Sequence, residues 1–162
     1  MASIKVSKGL EDVANMLVNV NKAGEAIAKM ATYEGAKVIA DGIRASIRDL
    51  PVDKPRWLEG GDQYAVLVEQ DKEDLANALG IAEIRKDEDG VRTVIGFAGY
   101  GRHKTKKYSK GLPMPMIARA IESGSSVRRK HPFIRPVVRS KKKEVQEAMV
   151  RAGREAIEKI TK

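Results

Sequence analysis

Residues 112–138 read L-P-M-P-M-I-A-R-A-I-E-S-G-S-S-V-R-R-K-H-P-F-I-R-P-V-V. No other stretch limits the fold as tightly, because its prolines and one glycine dictate where helices begin and end. Ile117, Ala118 and Ile121 sit at helical spacing after two prolines, which predicts a short helix starting beyond Pro115. Gly124 is free to take positive φ and close that helix. Pro132-Phe133-Ile134-Arg135-Pro136 then alternates apolar and rigid residues, with Pro136 suited to be the first residue of the next helix. The stretch therefore ends one element, turns a corner and starts another.

The pattern resembles the neck and tail-completion (head-tail joining) family of long-tailed bacteriophages, which includes lambda minor tail protein Z and the tail components of lambdoid siphophages. The family pairs an apolar-Glu-aromatic-Gly-Ser/Thr stretch with a Pro-Phe-apolar-Arg-Pro stretch that leads into the last helix. Here the signature positions are Glu122, Gly124, Pro132, Phe133, Arg135 and Pro136, while Ser123 stands where the family carries an aromatic. The resemblance implies a structural virion protein at the head-tail junction, assembled in the host cytoplasm. It also implies a homo-oligomeric ring, of six subunits, around the DNA channel. Its partners would be head connector or head-closure proteins and tail terminator or tail tube proteins. The function would be assembly rather than catalysis, with mobile loops ordering when a neighbouring ring docks.

Independently of that resemblance, 162 residues suit a single domain with one core. Aromatics are only 4% of the chain, so Ala, Val, Ile, Leu and Met must build a thin core. The absence of cysteine removes disulfides, thiolate metal sites and a cysteine nucleophile. No apolar run approaches a membrane span, and no signal-type segment opens the chain.

The net charge of +9 is unevenly placed: 14 of the 31 Lys/Arg but one of the 22 acids, Glu122, fall between Tyr100 and Lys143. Such a segment favours a polyanion or an acidic protein surface as neighbour. Within it, residues 99–111 have no apolar period, are bounded by glycines and predict a mobile loop. That loop carries Arg102, Lys104, Lys106, Lys107 and Lys110 beside Tyr100 and Tyr108; together with Arg128, Arg129 and Lys130 these are the candidate contacts to DNA or a protein partner. DNA contact of this kind would be sequence-independent, and a stand-alone nucleic-acid-binding protein is the alternative reading.

The expected fold is α+β: a long N-terminal helix, a small antiparallel sheet with a hairpin, and a C-terminal helix packed on the sheet. Residues 1–8 read as a short strand or arm. Leu10, Val13, Ala14, Leu17 and Val18 predict a first helix, interrupted at 19–21. A longer helix should follow over 23–48, with Ala28, Thr32, Ala36, Ile39, Ala40, Ile43, Ile47 and Leu50 on its core face. A second stripe, Ile27, Ala31, Val38, Gly42 and Ala45, allows close approach of another helix, from another subunit or from this chain. Pro51 and Pro55 end the helix, Trp57 and Leu58 would form a lid, and Gly60-Gly61 a turn. Asp71 is a candidate N-cap for a short helix ending at Gly80. Alternation of apolar and polar residues predicts a hairpin over 81–98, turning at Gly90. Val138, Val145, Met149, Ala152, Ala156 and Ile160 form the stripe of the last helix.

A catalytic reading fares badly, and no cofactor is called for. His103 and His131 lack a nucleophile elbow or a ligand partner at helical spacing. Gly99-x-Gly101 lacks a third glycine, and Glu83 and Arg85 read as one solvent face of a strand. Glu122, the lone acid in the basic segment, reads as an anchor for Arg128, Arg129 or a neighbouring subunit's arginine, or as a structural tie to the basic loop; the structural role is favoured.

Overall fold

The computed structural model describes residues 8–52, 67–88, 90–102, 104, 106–126 and 128–161. Its elements are α1 (Lys8–Arg48), α2 (Glu69–Ala78), β1 (Leu79–Ile81), β2 (Arg85–Asp87), β3 (Gly90–Arg92), β4 (Ile95–Phe97), α3 (Met114–Ser123), α4 (Arg135–Ser140) and α5 (Lys142–Thr161). The class is α+β, as the sequence predicts. Except for Lys8, which starts α1, the expected N-terminal strand lies outside the described residues. So do the Trp57 lid and the Gly60-Gly61 turn.

The helix α1 is one continuous rod of 41 residues, about 60 Å long, and is not broken at 19–21. The asparagines there cost only a few tenths of a kcal/mol each in a helix, and no proline interrupts the hydrogen-bond ladder. Its core face is the expected one: Ala36, Ala40, Ile43 and Ile47 are buried, followed by Leu50. They join Leu67, Leu75, Leu79, Met114, Ala118, Ile121 and Phe133 in one apolar cluster.

The terminal helix packs along α1 and not on the sheet, which corrects the expectation. Two features of the residues explain this. The strands are three residues long and paired only in twos, so they offer no face wide enough for a 20-residue helix. The α1 stripe, by contrast, is built for close approach: a Cβ at Gly35 would lie 2.7 Å from Met149 Cγ, and one at Gly42 would lie 2.8 Å from Val137 Cγ1. Ala148, Ala152 and Ala156 supply the matching small face and are buried. Val137 of α4 thus covers the second stripe at Gly42, Met149 of α5 covers the rod at Gly35, a residue the expected stripe did not include, and Ala45 of that stripe is exposed. Val137 turns toward the core, while Val138, expected in the stripe, is exposed.

The hairpin forms, but it starts earlier and is interrupted. β1 pairs antiparallel with β4, Leu79 opposite Phe97 and Ile81 opposite Ile95; β2 pairs with β3, Arg85 opposite Arg92. Between the two ladders Ala82 N donates to Val94 O at 2.8 Å and Thr93 Oγ1 to Ala82 O at 2.7 Å. Leu79, expected as the last apolar residue of α2, already has extended backbone, and Gly80 pairs with Gly96 rather than closing a helix. Asp71 is not the N-cap: α2 begins two residues earlier, and the Asp71 carboxylate reaches back to accept from Val68 N at 3.4 Å. From the third helical position it satisfies the amide of the N-cap residue, Val68.

Candidate interaction surface

The basic segment hangs on α3, with the glycine-bounded loop at one end and the Pro-Phe-Ile-Arg-Pro corner at the other. α3 begins at Met114, one residue before Pro115, so the expectation that it starts beyond that proline is corrected. A proline at the second helical position loses nothing, since its amide would have no partner within the helix. Met116 N and Ile117 N both donate to Pro113 O, at 3.0 and 3.2 Å.

At the far end Gly124 takes φ +79° and closes α3, as the sequence predicts. Ser125 and Arg128 then exchange backbone hydrogen bonds across a turn, and His131 N donates back to Ile121 O at 2.8 Å. This return brings the chain past the side chain of Glu122, which is buried. Its Oε2 accepts from Phe133 N at 2.7 Å and Ile134 N at 2.8 Å, and its Oε1 accepts from Arg135 N at 3.2 Å. The Arg135 guanidinium lies beside it, Nε at 3.7 Å from Oε1. Burial works to raise this carboxyl, but the amides of Ile134, Phe133 and Arg135 and the charge of Arg135 outweigh it and hold it below the usual glutamate value. Glu122 therefore ties the end of α3 to the corner through backbone amides, whereas the sequence reading sought its partners among side chains and the basic loop.

The signature residues converge here. Glu122 and Gly124 end α3, and Phe133 is fully buried, its ring edge-on to Phe97 with centroids 6.1 Å apart. Arg135 and Pro136 are the first two residues of α4, so Pro136 is second rather than first. Pro132 is exposed at the entry to that turn.

The loop 99–111 is pinned at its base. Tyr100 bridges to Pro113, Gly101 N donates to Leu112 O at 2.8 Å, and Met114 N donates to Gly99 O at 3.0 Å. Gly111 has φ +110°, and a Cβ there would lie 1.8 Å from Gly101 O, so the two strands of the neck pass closer than any side chain allows. Arg102 is drawn onto α2, with Nε 2.8 Å and Nη2 2.7 Å from Asp74 Oδ2, which partly neutralises it as a free contact. Lys104, Lys106, Lys107 and Lys110 are exposed, and Lys107 lies 5.7 Å from the centre of the Tyr108 ring. A shallow depression beside them is lined by Asp74, Asn77, Tyr100, Arg102, Lys104 and Lys110.

The structure does not merge the two basic clusters. The loop lysines precede α3, and half-buried Arg128 and exposed Arg129 and Lys130 follow it, with the ten-residue helix, itself about 15 Å long, between them in the chain. Asp74 was missed from the sequence, where nothing links it to Arg102 across 28 positions. The Gly101–Gly111 contact had a signal in the glycines at both ends of the loop. His103 lies outside the described residues. Among the described residues no three His, Cys, Asp or Glu side chains gather to hold a metal, and no helix is long and apolar enough to cross a membrane.

Comparison with protein-family models, with curated proteins and with solved structures returns no match to this chain.

Proposed function

We propose that this chain is a structural virion protein of the phage head-tail junction, acting in the neck or in tail completion as a ring around the DNA channel. One observation carries the reading. The signature residues on which the resemblance rests are physically coupled: the Glu122 carboxylate holds the amides of Phe133, Ile134 and Arg135 and so sets the entry to α4. A motif whose parts touch is a folding unit rather than a chance succession of residue types. The ring's partners would be connector or head-closure proteins on one side and tail terminator or tail tube proteins on the other. The exposed lysines of residues 104–110 would face the DNA backbone or an acidic face of one of these partners. The protein would act by assembly and carry out no reaction.

The test is a nonsense codon at Trp57 in the parent phage, with the lysate examined by electron microscopy. Filled heads beside finished, unattached tails are the expected result, and overlong tails would instead mean a length terminator. Normal infectious particles would overturn the reading. They would favour the second one, a stand-alone nucleic-acid-binding protein, which the half-exposed Tyr100 among loop lysines supports.

A further inference from the structure

The two tyrosines of the basic loop are not equivalent. Tyr108 is half-buried, and the Lys107 ammonium lies 5.7 Å from the centre of its ring. Tyr100 is 59% exposed and lines the depression of about 460 Å³ that α2 and the loop form between them. Its backbone is held on both sides. Tyr100 bridges to Pro113, Gly101 N donates to Leu112 O at 2.8 Å, and Met114 N donates to Gly99 O at 3.0 Å. A ring carried on a fixed backbone has only two side-chain torsions left to order, so a ligand can cover it at low entropic cost.

The walls around that ring are cationic. Three basic side chains line the depression against one carboxylate. Arg102 directs both Nε and Nη2 at Asp74 Oδ2, at 2.8 and 2.7 Å, which leaves that wall near neutral and fixed in place. Lys104 and Lys110 are the other two, and both are exposed. Asn77, one turn along α2 from Asp74, adds an exposed amide that can donate and accept. An aromatic face, an amide and two ammonium groups around one concavity match the three parts of a nucleotide: base face, base edge and phosphate. The geometry points to single-stranded nucleic acid as the ligand of this depression, one unpaired base lying on Tyr100 with its flanking phosphates on Lys104 and Lys110. A duplex cannot use the ring in this way, because stacked neighbours cover its base faces and exposing one costs both stacking and pairing. The Asn77 amide suits any base edge, so the preference is for strandedness rather than sequence. Strandedness deepens the reading that the loop lysines face nucleic acid, and rests on it; it also makes Tyr100, and not Tyr108, the stacking residue.

The test uses the purified full chain and fluorescence anisotropy, with a labelled oligothymidylate about ten nucleotides long and a random duplex of the same length as probes. The oligothymidylate should bind more tightly than the duplex. Tyr100→Leu keeps apolar bulk at the loop neck but removes the aromatic face, and it should weaken oligothymidylate binding by about fivefold to a hundredfold. Tyr100→Phe should retain it, and Tyr108→Leu should leave it nearly unchanged. Because Tyr100 carries no charge, its loss should not alter the salt slope, whereas Lys104→Ala and Lys110→Ala should each flatten that slope by about 0.7. Circular dichroism checks that each variant is folded; should Tyr100→Leu lose structure, the strand preference of the wild type and the two lysine slopes still decide. Duplex binding as tight as that of the oligothymidylate, or Tyr100→Leu binding like the wild type, would overturn the inference while leaving a contact between the loop and a phosphate backbone intact. Binding of neither probe at low salt would overturn it together with that contact and leave an acidic protein as the neighbour of the loop. Head-tail joining is judged separately, by the nonsense-codon lysate.

Discussion

Glu122 shows how one side chain can fix a corner. A buried carboxylate that accepts three amides offsets its own desolvation only while it is ionised. Its folded value lies below the ordinary 4.5, so the stabilisation is fully present above that pH and is lost as pH falls through the depressed folded value. Glu122→Gln should therefore lower stability at neutral pH by about 1–3 kcal/mol. In acid the gap between variant and wild type should narrow, and urea denaturation at neutral and acidic pH reads both. Equal loss at the two pH values would mean that the charge does not matter at this corner. A second residue-scale expectation concerns the loop neck. Gly111→Ala places a methyl group on Gly101 O at a positive φ, which should destabilise by more than about 1 kcal/mol and expose the Gly101 amide to hydrogen exchange. The sequence made Gly124 legible because a helix stop has a local signature. It could not show Glu122's partners, because backbone amides have no letter of their own.

At the scale of elements, the decisive surface is the face of α1 that carries Gly35 and Gly42. Gly42 was legible in a stripe of small residues at helical spacing while Gly35 was not, and the pattern does not name the occupant. α5 wins because its own alanine face matches and the sheet is too small to compete. The continuity of α1 was likewise illegible: Asn19 and Asn21 read locally as a break, while the helical ladder on both sides carries through them. Two glycine substitutions separate propensity from packing. Gly24→Ala meets nothing and should stabilise by about 0.5–1 kcal/mol through helix propensity alone. Gly42→Ala gains the same propensity but drives a methyl group to 2.8 Å from Val137, whose β-branched side chain cannot swing aside, so its net effect should be destabilising. Thermal melts of the pair give the sign of each. A Gly42→Ala chain as stable as Gly24→Ala would mean that α4 is free to move away from α1.

For the whole molecule the question is what the charge asymmetry faces. The basic excess was plain in the sequence, but its division was not. α3 stands in the chain between the loop lysines and the corner arginines, and Asp74 has already engaged Arg102. Lys104, Lys106, Lys107 and Lys110 therefore remain as the exposed loop charges. If these lysines lie along a DNA backbone, affinity for random duplex should fall steeply with salt, the logarithmic slope growing by about 0.9 for each phosphate neutralised. Reversing Lys106 and Lys107 to Glu should then weaken binding for all sequences alike and flatten the slope by about two contacts, leaving the fold intact because both side chains are exposed. A salt titration by fluorescence anisotropy reads affinity and slope together. Absence of binding even at low salt would remove DNA as the neighbour of this loop. The same lysines would then have to meet acidic protein, and the double reversal should block assembly without altering any affinity for DNA.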